Sequence, residues 1–189
     1  MGTWRWPVVA VVIVALLTAG GSWLARDRYQ VPNQAVRQAV LPDDGELSPQ
    51  EQPGPRSVEA TADATTHPLY ETVRQLLQTY FDAINGKRYD RWKTTVSRRR
   101  IEVQPQEDWE RAYRSSRDGS IVVYRIESGP TDSARVMLGF TSVQDPQDAP
   151  LELPVGCIRW RVILPLTVED GTWKLDAGPT AASPQHEEC

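Results

Sequence analysis

Hydrophobic positions along this chain change their spacing twice, and each change marks a different kind of element. From Pro7 to Ala25 there is no alternation at all: 19 uncharged residues, mostly Val, Ala and Leu, run without a break. At helical rise such a stretch spans roughly 28 Å, the thickness of a bilayer's hydrocarbon core. From Leu69 the apolar residues recur every three or four positions (Tyr70, Val73, Leu76, Leu77, Tyr80, Phe81, Ile84), until Asn85-Gly86 supplies a stop. That spacing predicts an amphipathic helix. A shorter helix is expected with Tyr89, Trp92 and Val96 on one face. A third opens after Pro105, where Glu107 and Asp108 suit its N-terminus and Trp109, Ala112 and Tyr113 face inward. The period then falls to two. Strands are predicted at Ile121 to Ile126, at Ala134 to Phe140 and at Ile158 to Val168, with Asp170-Gly171 turning the last into Trp173 and Leu175. Pro165 inside the third strand calls for a sheet edge or a bulge at that point.

Strict alternation assigns Val122, Tyr124, Ile126, Ala134, Val136, Leu138, Phe140, Ile158, Trp160, Val162 and Leu164 to the buried face of the sheet. The fold class is therefore α+β, with three helices packed on one face of an antiparallel sheet. The expected organisation is an N-terminal transmembrane anchor at 1–25, a proline-rich disordered linker at 26–67, a globular domain at 68–178 and a tail at 179–189. Composition supports the division. Six of the 15 prolines and a single aromatic residue, Tyr29, fall between 26 and 68, a mixture that buries too little surface to offset chain entropy. Four of the seven tryptophans (Trp92, Trp109, Trp160, Trp173) lie in the globular segment.

Trp4, Trp6 and Trp23 bracket the apolar stretch and Arg5, Arg26 and Arg28 flank it, which favours a retained single-pass helix. The rival reading is a cleaved signal peptide, since small residues Thr18 to Gly21 follow the most apolar run. Flanking charge does not set the orientation. A short N-terminal segment acting as a signal anchor would place residues 26–189 outside the cytoplasm, at the cell membrane.

The helix ending Tyr-Phe-Asp-Ala-Ile-Asn-Gly-Lys-Arg-Tyr-Asp-Arg-Trp (80–92), with the hairpin Val-Glu-Asp-Gly-Thr-Trp-Lys-Leu-Asp (168–176), resembles the nuclear transport factor 2-like (SnoaL-like) superfamily. The resemblance covers about 69–178 and implies a cone of helices closed by a curved sheet. It says little about function, because such domains include enzymes, binding modules and scaffolds. Similar single-pass architectures occur in actinobacterial envelope proteins associated with lipid import and in the scaffold subunit of type IV secretion machines.

Charge excludes some classes of function. The globular segment holds 16 acidic and 16 basic residues, so nothing draws it to nucleic acid. The triplet Arg98-Arg99-Arg100 reads as a solvated turn at a helix end, with contact to anionic lipid or a partner as the alternative. No metal-ligand spacing, phosphate loop or nucleophile motif occurs, so neither metal nor cofactor is expected. The inward strand set contains no carboxylate, histidine or lysine, and Asp82 points off the apolar face of its helix. The Asp and His bases of enzymes on the resembled fold have no matching position, and the expectation is a domain without acid-base catalysis. Aromatic residues remain: Tyr80, Trp92, Trp109, Tyr113, Tyr124 and Trp160 are candidates to line a pocket for a small hydrophobic ligand. Arg125, Arg135, Arg159 and Arg161 form a candidate interface for a protein partner or a homodimer. The expected function is a non-catalytic, membrane-anchored extracytoplasmic interaction or scaffold module. The alternative is a small-molecule binder or SnoaL-like enzyme using the aromatic pocket. Outside the cytoplasm, Cys157 and Cys189 are expected to form a disulfide; otherwise they are two independent thiols, Cys157 buried as a small hydrophobe.

Overall fold

A computed structural model describes residues 47–48, 51–178 and 184–189, all within one compact unit running from Leu47 to Cys189. The apolar segment at 7–25 and most of the expected linker lie outside the described residues. The unit is α+β. Its elements are β1 (Val58–Ala60), α1 (Ala62–Thr65), α2 (Tyr70–Asn85), α3 (Tyr89–Lys93), α4 (Arg98–Val103), α5 (Gln106–Tyr113), β2 (Arg117–Ser128), β3 (Ser133–Val143), β4 (Cys157–Glu169), β5 (Thr172–Leu175) and β6 (Gln185–Glu188). A short 3-10 turn at Pro146–Asp148 joins β3 to β4. The sheet is mixed, in the order β1-β2-β3-β4-β5, with β1 parallel to β2, the other pairs antiparallel and β6 on β4 beyond the end of β5.

The folded unit begins earlier than Pro68. Val58 is buried and β1 pairs Val58 to Ala60 with Ile121 to Val123, so the proline-rich composition conceals a short strand. Its anchor is Gln78 on α2, which accepts from the Val58 N–H at 3.0 Å and donates to the Arg56 carbonyl at 3.1 Å. The preceding segment crosses directly over Gly119, where a Cβ would lie 2.6 Å from the Gly54 carbonyl oxygen. Two hydrogen bonds from Ser120 hold that crossing: its N–H donates to the Pro55 carbonyl at 2.7 Å, and its hydroxyl to the Pro53 carbonyl at 2.8 Å.

The three expected helices are present as α2, α3 and α5, but α3 ends at Lys93, and Val96, expected on its face, bridges to Leu175 instead; two short helices, α1 and α4, join them. Thr61 and Ser97 cap these two, each accepting from a backbone N–H of the first turn. Their apolar content is too short to give a period. In the sheet, β3 and β4 follow the expected alternation, whereas β2 does not. Register shifts between Gly119 and Val122 and again between Val123 and Arg125 put Ile121, Val123 and Ile126 in the core. Val122 and Tyr124 therefore lie on the opposite face from that expected. One extra residue in a strand reverses the phase of everything on one side of it, and alternation counted back from Ile126 fails there.

Pro165 sits where an edge exists locally. On the far side of β4 from β3, β5 pairs with 166–169 and β6 with 158–161, leaving 162–165 without a strand partner among the described residues. The Pro165 carbonyl accepts from Asp176 N–H on that side at 2.8 Å, and its nitrogen faces the same gap. The β4–β5 turn is as expected, with Asp170 and Gly171 both at positive φ, 50° and 72°.

The 179–189 segment is not merely a tail. After 179–183, which lie outside the described residues, β6 pairs with β4, and Cys189 is bridged to Cys157 with Cα atoms 5.4 Å apart.

Candidate functional site

A cavity of about 420 Å³ lies between the helices and the inner face of β3 and β4. Its walls are largely apolar. Phe81 and Ile84 come from α2, and Phe140, Val162 and Leu164 from the sheet. Trp160, opposite Phe140 in the β3–β4 register, stacks with it at 6.2 Å between ring centroids.

Of the six aromatic residues proposed for a pocket, Tyr80, Tyr113 and Trp160 line this cavity. Trp92 and Trp109 do not. Both are fully buried, 5.8 Å apart between ring centroids, and belong to the hydrophobic core together with Tyr89. Tyr124 lies on the opposite face of the sheet, where its hydroxyl packs against Gly139. The second register shift in β2 moved it there.

Three charged side chains that the sequence pattern did not assign to a pocket stand in the cavity wall: Arg100, Asp118 and Asp148. The first is Arg100. Ser97 accepts from the Arg100 N–H at 3.1 Å and so starts α4, and the first turn of that helix carries the guanidinium inward. There it donates to the Tyr80 hydroxyl at 3.3 Å and to the Asp176 carbonyl at 3.2 Å, and it also reaches the Tyr113 hydroxyl. The guanidinium carbon stands 5.9 Å from the centre of the Tyr80 ring. Among the described residues Arg100 makes no ion pair. Tyr80 beside it raises the arginine above its ordinary pKa, against the cost of burial. Burial pushes the Tyr113 phenol up, Tyr80 adds to this, and Arg100 opposes it. The Tyr113 phenol is thus a neutral hydrogen-bonding group.

The arginine triplet is thus not one solvated run. Arg98 pairs with Asp170, Arg99 approaches Asp176 at 4.0 Å, and only Arg100 turns into the cavity.

The second group is Asp118, which overturns the expectation of an inner face without carboxylates. It is 3 % exposed and occupies the β2 position opposite Ser142. The side chain of Asn85, read from sequence only as part of a helix stop, clamps its main chain. Asn85 Oδ1 accepts from the Asp118 N–H at 2.7 Å and Nδ2 donates to its carbonyl at 2.9 Å. Ser142 donates its hydroxyl to the Asp118 carboxylate. Burial pushes this carboxyl up to about 6, with the Ser142 hydroxyl and the Lys87 ammonium pulling the other way. The wall also includes Asp148, which is bound by Arg114 at 2.5 Å and by the Ser115 hydroxyl. Asp82 is where it was expected, off the buried face, accepting from Gln78 at 3.2 Å. The two histidines stay outside the cavity wall: His67 contacts Ser128 at 3.2 Å, and His186 on β6 packs against the Trp160 ring at 5.1 Å.

The candidate interface arginines share the outer face of the sheet. Arg125 lies opposite Met137, Arg159 opposite Thr141 and Arg161 opposite Gly139, with Arg135 next along β3. Arg125 pairs with Asp63 at 3.1 Å and Arg135 with Glu127 at 2.8 Å. Much of this basic stripe is therefore neutralised within the chain. No group of His, Cys, Asp and Glu among the described residues could hold a metal ion.

No protein-family model matches the chain, and no curated protein matches it.

Proposed function

We propose that this chain is a non-catalytic, extracytoplasmic module anchored by its 7–25 segment, and that its globular unit binds a small, largely apolar molecule. The observation that carries the reading is the 420 Å³ cavity, apolar-walled and furnished with a few convergent polar groups, the ordinary composition of a ligand site. The succession of helices and an antiparallel meander is consistent with a cone of the nuclear transport factor 2-like kind, whose interior would be this cavity. The Cys157–Cys189 bridge favours an oxidising compartment. Asp118 supplies a hydrogen-bonding group at the wall, and binding requires nothing further of it. The outer arginine face supports a partner less well, because Arg125 and Arg135 already have acidic partners.

The test uses the full chain in lipid nanodiscs, titrated with the neutral fluorophore N-phenyl-1-naphthylamine against empty nanodiscs. Saturable one-to-one enhancement is expected, and Ala112→Trp, which fills the cavity from an exposed position, should abolish it. Enhancement that never saturates, or that survives this substitution, would sink the proposal.

A further inference from the structure

The cavity wall is electrostatically lopsided. Asp148 is matched by Arg114, and Asp118 is held by Ser142 with the Lys87 ammonium acting on it. Arg100 makes no ion pair among the described residues; its guanidinium donates to the Tyr80 hydroxyl and the Asp176 carbonyl and reaches the Tyr113 hydroxyl. A guanidinium half-withdrawn from water carries five N–H donors in a planar fork. Two nitrogens are engaged by Tyr80 and Asp176, which fixes the orientation of the group without neutralising it. Ser97 at the start of α4 fixes its position along the helix, and itself donates to the Asp176 carboxylate. A positively charged donor that is held in place, only partly hydrated and set beside two phenols is preorganised for an anion.

On the same cavity wall stand Trp160 and Phe140, stacked with an interplanar angle of 16°. Their flat apolar surface suits a ring or a chain, not a second charge. We propose that the ligand is an amphiphilic carboxylate, its anionic end on Arg100 with Tyr80 and Tyr113, and its apolar body against Trp160 and Phe140. This rests on the cavity being a binding site, and it adds the class of molecule that the site selects. A carboxylate there would supply the counter-charge that Arg100 lacks among the described residues. An inorganic anion would satisfy Arg100 but leave the aromatic surface uncovered, and a neutral hydrocarbon would do the reverse.

The experiment compares naphthalene-2-carboxylate with naphthalene-2-carboxamide, two molecules of one shape and different charge. Each competes against N-phenyl-1-naphthylamine on the full chain in nanodiscs at pH 7.5. The expected result is a carboxylate preference of about tenfold or more, falling to near unity in Arg100→Met and partly kept in Arg100→Lys. Unchanged carboxamide affinity in Arg100→Met shows that the variant is folded. If that variant does not fold, Tyr80→Phe serves instead, with an expected several-fold loss in carboxylate affinity alone. Equal binding of the two molecules by the native chain overturns the carboxylate inference and leaves the pocket standing, as does a preference that persists in Arg100→Met. Failure of both molecules to displace a saturable probe also overturns it, whereas failure of the probe itself to bind removes the pocket as well.

Discussion

Asp118 is a carboxyl group that the fold buries at the start of β2, with the Ser142 hydroxyl donating to it. Arg117-Asp118-Gly119-Ser120 has the composition of a turn, yet it is the first third of β2. What makes it a strand is non-local: Asn85 clamps the Asp118 main chain, and Gly119 admits the Gly54 backbone. No local pattern encodes either. Arg100 was hidden for a different reason, since three consecutive arginines point in three directions around a helical turn and only the cap at Ser97 says which faces inward. The buried carboxyl has a thermodynamic signature. Its folded value, about 6, lies above the ordinary 3.8, so the folded chain holds a proton that the unfolded chain has released between these values. Stability therefore falls as pH rises through roughly 4 to 6, by about 3 kcal/mol for a shift of that size, and levels off above it. Asp118→Asn should remove that slope. Chemical denaturation of the native chain and the variant at pH 4, 5, 6 and 7 provides the check, and parallel pH profiles would show that Asp118 is solvated.

Elements with a long period were legible and those without one were not. α2, α5, β3 and β4 each carry enough apolar repeats to define a face, and the Asp170-Gly171 turn is set by its own backbone preferences. β1 and α1 are too short, at three and four residues, and depend on Gln78 and on pairing with β2. β6 is a special case. Gln185-His186-Glu187-Glu188 has no strand character, and only Glu188, Glu187, His186 and Gln185 lying opposite Ile158 to Arg161 make it one. The cysteine bridge fixes that register by joining the two ends just beyond it. Closing a loop across a sequence separation of 32 stabilises the fold by roughly 3 to 4 kcal/mol in the chain-entropy account. Cys189→Ser is thus expected to lower the melting temperature by several degrees and to expose the amides of 185–188 to rapid hydrogen exchange, while those of β2 and β3 stay protected. Since Pro184 lines the cavity and His186 packs on Trp160, probe affinity should fall several-fold as well. Unaltered exchange at 185–188 would mean that the strand pairs without the bridge.

At the scale of the whole molecule, the anchor proposed at 7–25 and the cysteine bridge of the globular unit bear on location separately. An uncharged stretch of 19 residues flanked by Trp and Arg is stable across a bilayer. A paired cysteine persists where thiols are not kept reduced. Both are met if the chain keeps its N-terminus in the membrane and holds Leu47 to Cys189 on the outer side. Among the described residues no helix is long and apolar enough to cross a membrane. The prediction has two readouts on native cells. The intact chain should sediment with membranes and resist carbonate extraction, with its first residues recovered by N-terminal sequencing. Protease added to cells with a permeabilised outer envelope should cut between residue 25 and Leu47 and release a fragment in which Cys157 and Cys189 are joined, seen as unreduced linked peptides by mass spectrometry. Soluble protein beginning near Gly20 or Gly21 would establish a cleaved signal peptide. A protected chain with two alkylatable thiols would place the globular unit, with its cavity, on the cytoplasmic side.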